Sequence, residues 1–140
     1  MKDEYKKELE LIIKQREESM SAYWKNQDNA DKIILNALNA FASLKKELEE
    51  YGRSVKVNYA DNKKENPKTA QLEVRYKDLI EIIYAIIVDY DKQSITAKPV
   101  LLDEQNNIIE DTHTWPIKDD NLISSDEIIQ QFISYYEPSI

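Results

Sequence analysis

The chain has no cysteine, one glycine and one histidine in 140 residues. Without cysteine there is no disulfide and no thiolate metal site, and a stapled secreted scaffold is not expected. Gly52 alone cannot build the glycine-rich loops that cradle phosphates, so GxGxxG and Walker-type sites are excluded. With His113 as the single histidine, a two-histidine metal site would need a second chain. The apolar runs are too short and too interrupted by acids to span a membrane. The charged start Met1-Lys2-Asp3-Glu4-Tyr5 lacks the apolar core of a signal peptide, and the expected compartment is the cytoplasm. Positive charge is scarce at one end. Lys118 is the only basic residue of the last forty, against nine acids, and this segment carries the whole net charge of -8. Such an end repels phosphates and disfavours direct nucleic-acid binding.

What is present suits a folded globule: 41% hydrophobic and 33% charged residues, enough apolar side chains to close a core. Residues 3–51 contain neither glycine nor proline and are rich in Glu, Lys, Leu and Ala. A stripe recurs at threes and fours through Tyr5, Leu9, Ile12, Arg16, Met20, Tyr23, Gln27, Ala30, Ile34, Ala37, Phe41, Leu44, Leu48 and Tyr51, with one extra four between Arg16 and Met20. Two structures fit it. A turn at Asn26-Gln27-Asp28-Asn29 would give an antiparallel helical hairpin, favoured by ordinary helix lengths and by the capping chemistry of that cluster. A continuous helix is favoured by the unbroken register, and would use its stripe on a partner or in a homo-oligomer.

Gly52 fits the residue just past a helix end. The period then changes to two. Val55, Val57 and Tyr59 form a first strand, and Leu72, Val74 and Tyr76 a second, with a polar loop at 61–68 between them. Leu79–Tyr90, dense in Ile and Val, predicts a central strand buried on both faces. A fourth strand over Ile95–Leu102 carries Pro99, which predicts a sheet edge. A fifth runs from Ile108 to Trp115. Ser124-Ser125-Asp126-Glu127 is a capping box that opens a last helix with Ile128, Ile129, Phe132, Ile133 and Tyr136 on one face. The expected fold is α+β: an N-terminal helical hairpin or one long helix over 1–51, then a five-stranded antiparallel meander and a C-terminal helix packed on it over 52–140, as one structural domain.

His113 shares a strand face with Asp111 and Trp115, which suits an Asp–His pair for base catalysis or a small-ligand or hydrolytic site; a surface histidine beside threonines explains it as well. Glu110 and His113 match E-x-x-H, but on a strand they point oppositely. The acid pairs Asp103-Glu104, Glu110-Asp111, Asp119-Asp120 and Asp126-Glu127 suggest a negative surface that imitates nucleic acid. A solvated, solubilising end is the plainer reading. A cation loop is not expected, because the D-x-D-x-D-G spacing is missing. The basic residues Lys63, Lys64 and Lys68 are equally well explained by a polar loop. Tyr23 and Trp24 are the aromatic candidates for an interface. Glu81, inside the central strand, should sit at a sheet end or face a partner such as Arg75 or Lys77.

No catalytic residue, metal site or cofactor is assigned. The expected function is a non-enzymatic protein–protein interaction, as in a small inhibitor, immunity or adaptor protein of the kind that phages and mobile elements encode. Its surface would comprise Tyr23, Trp24, Asp103, Glu104, Glu110, Asp111, Asp119 and Asp120. The partner would be another protein, with a basic surface if the acids bind it, and neither nucleic acid nor membrane. The alternatives are an acidic mimic that blocks a nucleic-acid-binding protein, a phage assembly subunit, and a ligand or hydrolytic domain using Asp111 and His113.

Overall fold

A computed structural model describes residues 1–59, 66–111, 114, 115, 117 and 122–137. Helix α1 runs unbroken over Asp3–Glu50. Five strands follow, β1 (Ser54–Tyr59), β2 (Lys68–Tyr76), β3 (Leu79–Tyr90), β4 (Ile95–Leu102) and β5 (Ile108–Asp111), and then α2 (Ser125–Tyr136). The sheet order is β1-β2-β3-β4-β5, all antiparallel, so β3 is central as its composition predicts.

Of the two structures that fit residues 3–51, the chain takes the continuous helix, and the turn at Asn26-Gln27-Asp28-Asn29 is not made. The polar cluster is spent on contacts to the sheet and along the helix instead. The Asn26 amide donates to the carbonyls of Asp91 (2.8 Å) and Ser94 (3.4 Å) in the β3–β4 turn. Asp28 pairs with Lys32 one turn on, and Asn29 is buried. These side chains mark where the helix meets the sheet, not where it bends.

From Asn29 onward α1 lies on the sheet. Ala30, Ala37 and Ala40 are fully buried, and their small side chains let the helix approach closely, while Ile33, Phe41 and Leu44 fill the space beside them. They meet Val55, Leu72, Val74, Ile82, Tyr84, Ile86 and Val88 from the first three strands. Helix α2 enters the same core through Ile128 and Phe132, and the Tyr84 ring stands edge-on between Phe41 (5.9 Å) and Phe132 (5.7 Å). The N-cap half of the predicted capping box is present: Ser124 Oγ accepts from the Glu127 N–H at 3.2 Å. Ser125 Oγ and the Asn36 amide tie the start of α2 to α1.

A smaller cluster of Ile83, Ala85, Val100 and Leu102 occupies the opposite face of the sheet. Gln71 on β2 donates to Asn106 in the β4–β5 turn at 3.4 Å, so that turn reaches across β3 and helps close this face.

Three strand details differ from expectation. Lys68 belongs to β2 rather than to the loop. Pro99 lies opposite Ile86 in β4, which is an interior strand, not an edge. Ala97, on the same side of the strand two residues earlier, accepts from the Trp115 N–H, so the N–H that Pro99 lacks would point to the β5 side, next to the described Val100–Asp111 pair. Strand β5 is described over Ile108–Asp111, Thr114 lies outside it, and Trp115 makes an isolated bridge to Ala97. Among the described residues no helix is long and apolar enough to cross a membrane.

Candidate functional site

Two places stand out, a cleft at the start of β3 and the free half of α1. The cleft has a volume of about 790 Å³. Three separate pieces of local structure assemble it. The end of α1 is closed by Gly52 in the left-handed region (φ +81°), with the Gly52 N–H donating to Glu49 and the Arg53 N–H to Leu48. This cap delivers Arg53 beside the sheet. Next, the β2–β3 register shifts so that Val74 faces Ile82 and Arg75 faces Ile80, which leaves Glu81 as an extra residue on β3. Such a bulge re-aims a side chain. Glu81 turns to Arg53, and the last turn of α2 brings Tyr136 to the same carboxylate.

The geometry is tight. Arg53 Nε and Nη2 donate to the two Glu81 oxygens at 3.0 and 3.2 Å, and Nη1 donates to the Tyr51 carbonyl. The guanidinium lies 4.1 Å from the Tyr76 ring centroid. Tyr136 donates its hydroxyl to Glu81 Oε1 at 2.6 Å. The bonded Arg53 holds the Glu81 carboxyl below the usual range, although partial burial opposes it. Glu81 in turn pushes the Arg53 pKa upward. Burial, and then the bond to Glu81, raise the Tyr136 phenol. Glu81 thus faces a basic partner as expected, but the partner is Arg53 and neither Arg75 nor Lys77. The bulge points it away from both; Arg75 pairs with Glu73, and Lys77 lies over Tyr76.

Both Glu81 oxygens are thus engaged, so the carboxylate serves as a latch between α1, β3 and α2 rather than as a free base. Behind it, the buried hydroxyls of Tyr84 and Tyr135 have no hydrogen-bond partner among the described residues, and burial drives the Tyr84 phenol well above its ordinary pKa. Asp103, Glu104 and Glu137 line the cleft and make its rim acidic.

The structure scatters the sequence-predicted residues. Tyr23 is half-buried against Tyr90, ring to ring at 5.6 Å, and so serves the rim of the core. Trp24, its neighbour, is 58% exposed. Asp103 accepts from the Gln105 and Asn107 N–H groups and shapes the β4–β5 turn. Glu104 and Glu110 are exposed. Asp111 pairs with Lys98 at 2.9 Å on the sheet. His113, Asp119 and Asp120 lie outside the described residues, as do Lys63 and Lys64. Lys68 is buried on Asp31 at 2.8 Å, so it is not part of a phosphate-binding loop. Among the described residues no group of three or more His, Asp or Glu is placed to hold a metal ion.

The second place is the N-terminal half of α1. Tyr5, Leu9, Leu11, Ile12, Ile13 and Trp24 are all exposed large side chains, and residues 3–19 are exposed throughout. A surface hollow of about 250 Å³ lies along it, lined by Ile13, Arg16, Glu17, Met20 and Trp24. The stripe was visible in the sequence. Its lack of cover was not, because the same periodicity continues into the docked half. Sequence reasoning missed the Arg53–Glu81–Tyr136 latch, whose one local signal was a charged residue inside an apolar strand. No protein-family model, curated protein or solved structure matches the chain.

Proposed function

We propose that this is a non-enzymatic protein–protein interaction protein whose contact element is the projecting half of α1. The observation that carries the reading is the row of bulky apolar side chains on that arm, with Leu9 44%, Ile13 52% and Trp24 58% exposed. A contiguous apolar stripe of this kind is a characteristic of interaction sites. Aromatic anchors such as Trp24 contribute large area at small entropy cost. The saturated state of the Glu81 latch also favours a binding role over base catalysis.

Photo-crosslinking tests the reading. A crosslinker placed at Leu11 or Trp24 should give one discrete adduct with a protein, and Ile12→Asp with Ile13→Asp should abolish it. Adducts unaffected by those two changes would reject the arm as the contact element. The acidic-mimic reading draws support from the charge of the last forty residues. It predicts salt-sensitive binding to a basic protein that is lost when Asp103 and Glu104 become Lys.

A further inference from the structure

We infer that the arm pairs antiparallel with the arm of a second copy of this chain, about a two-fold axis between Ile12 and Ile13. This inference rests on the interaction reading above and names the partner. Three features of the arm carry it.

The first is the spacing. Reversing the direction of the helix about the midpoint of residues 12 and 13 exchanges Tyr5 with Met20, Leu9 with Arg16, and Ile12 with Ile13. With Ile13 added beside the stripe, the apolar face therefore reads alike in both directions, which suits the self-complementary patch of an isologous two-fold contact. Arg16 would lie across Leu9 of the other copy, its aliphatic stem covering the leucine while its guanidinium reaches the rim. A parallel pair would instead set Arg16 against Arg16 in the seam.

The second is charge. The chain as a whole carries -8, yet the stretch from Tyr5 to Met20 has four basic and four acidic side chains and is neutral. Two copies of this segment can approach without net repulsion. The antiparallel arrangement also sends the two acidic C-terminal regions to opposite ends of the pair.

The third is the flank. Lys6 and Glu17 are eleven residues apart, about three helical turns, so they lie on the same side of the stripe. Like flanks face each other in an antiparallel pair. Lys6 of each copy then meets Glu17 of the other, twice by symmetry. The face is open among the described residues: positions 3–19 are exposed throughout, and the first buried residue of α1 is Asn29.

Sedimentation equilibrium on the full chain, with designed charge swaps, tests this. The expected result is a dimer that Lys6→Glu and Glu17→Lys each weaken about tenfold, and that the combined Lys6→Glu, Glu17→Lys chain restores. The chain has no cysteine of its own, so a mixture of Leu9→Cys and Arg16→Cys chains should oxidise to the mixed disulfide in preference to either symmetric one. A dimer joined Leu9→Cys to Leu9→Cys would overturn the antiparallel geometry. A chain monomeric at hundreds of micromolar, or a dimer indifferent to all three charge variants, would overturn the pairing itself. If that monomer still forms the arm-dependent adduct with a different protein, self-pairing fails while the interaction reading stands. If it forms none, both fail. Because Lys6, Leu9, Arg16 and Glu17 are exposed, these variants leave the core intact, which near-ultraviolet circular dichroism verifies.

Discussion

Helix α1 contains two halves with one periodicity and two fates. Residues 29–50 press Ala30, Ala37 and Ala40 onto the sheet, with Phe41 wedged beside Tyr84. Residues 3–19 continue the stripe with Leu9, Ile12 and Ile13 and are exposed throughout. The difference is in side-chain size along the stripe. Alanine at the seam brings a helix close to a flat sheet, whereas bulky branched side chains suit interdigitation with another helix. An amphipathic period thus says that a face will be covered; side-chain volume along it says what shape the cover has.

Breaking the docked half should have the largest effect. Phe41→Ala empties a fully buried aromatic site, and the unfolding free energy in urea should fall by about 3–5 kcal/mol. At the junction of the halves, Asp31→Ala takes the carboxylate from buried Lys68 and should cost about 1–2 kcal/mol. Gly52→Ala meets no atom within 4 Å, so its cost is backbone strain alone, about 1 kcal/mol, and Gly52→Asn should recover part of it.

Glu81→Gln should cost about 0.5–1 kcal/mol, since a quarter of its side chain remains in water. Its sign with pH is fixed. The folded pKa lies below the unfolded one, so the stabilisation is present above the ordinary carboxylate range and disappears as pH falls through the folded value. Wild type and Glu81→Gln should therefore converge in acid unfolding curves, and a gap that widens at low pH would refute the latch. The smallest effect belongs to the arm. At protein concentrations too low for association, Leu9→Ala should leave the unfolding free energy within about 0.5 kcal/mol. A loss like that of Phe41→Ala would mean that the two halves do not differ in cover.

Much of this fold could be read from local pattern. The period-two runs located β1 and β2, the Ile and Val density located β3, and the Ser124 capping box located α2, because each signal lies within a few residues. The failures have a common physical origin in side chains that act at a distance. Asn26 looks like a turn former when its neighbours in sequence are considered, yet its partners are carbonyls at Asp91 and Ser94. Glu81 was matched to the nearest cations in its own hairpin, while the real partner arrives from the end of α1 through the Gly52 cap. Pro99 was placed at an edge by a rule about missing donors, yet β4 is an interior strand. The aromatic pair Tyr23-Trp24 was legible as a candidate, but consecutive residues on a helix point apart, and only Trp24 faces solvent.

The unbroken backbone of α1 has a mechanical consequence. With no glycine or proline between residues 3 and 51, the helix has no joint at which the projecting half can swivel relative to the docked half. The arm is a rigid shaft set in the sheet. Whatever grips it takes hold of the globular part at a fixed angle as well, so a contact on the arm also sets the bearing of the acidic end and of the cleft at β3. Two shafts locked side by side would hold their loads at a constant spacing and rotation, as a coupling holds two axles.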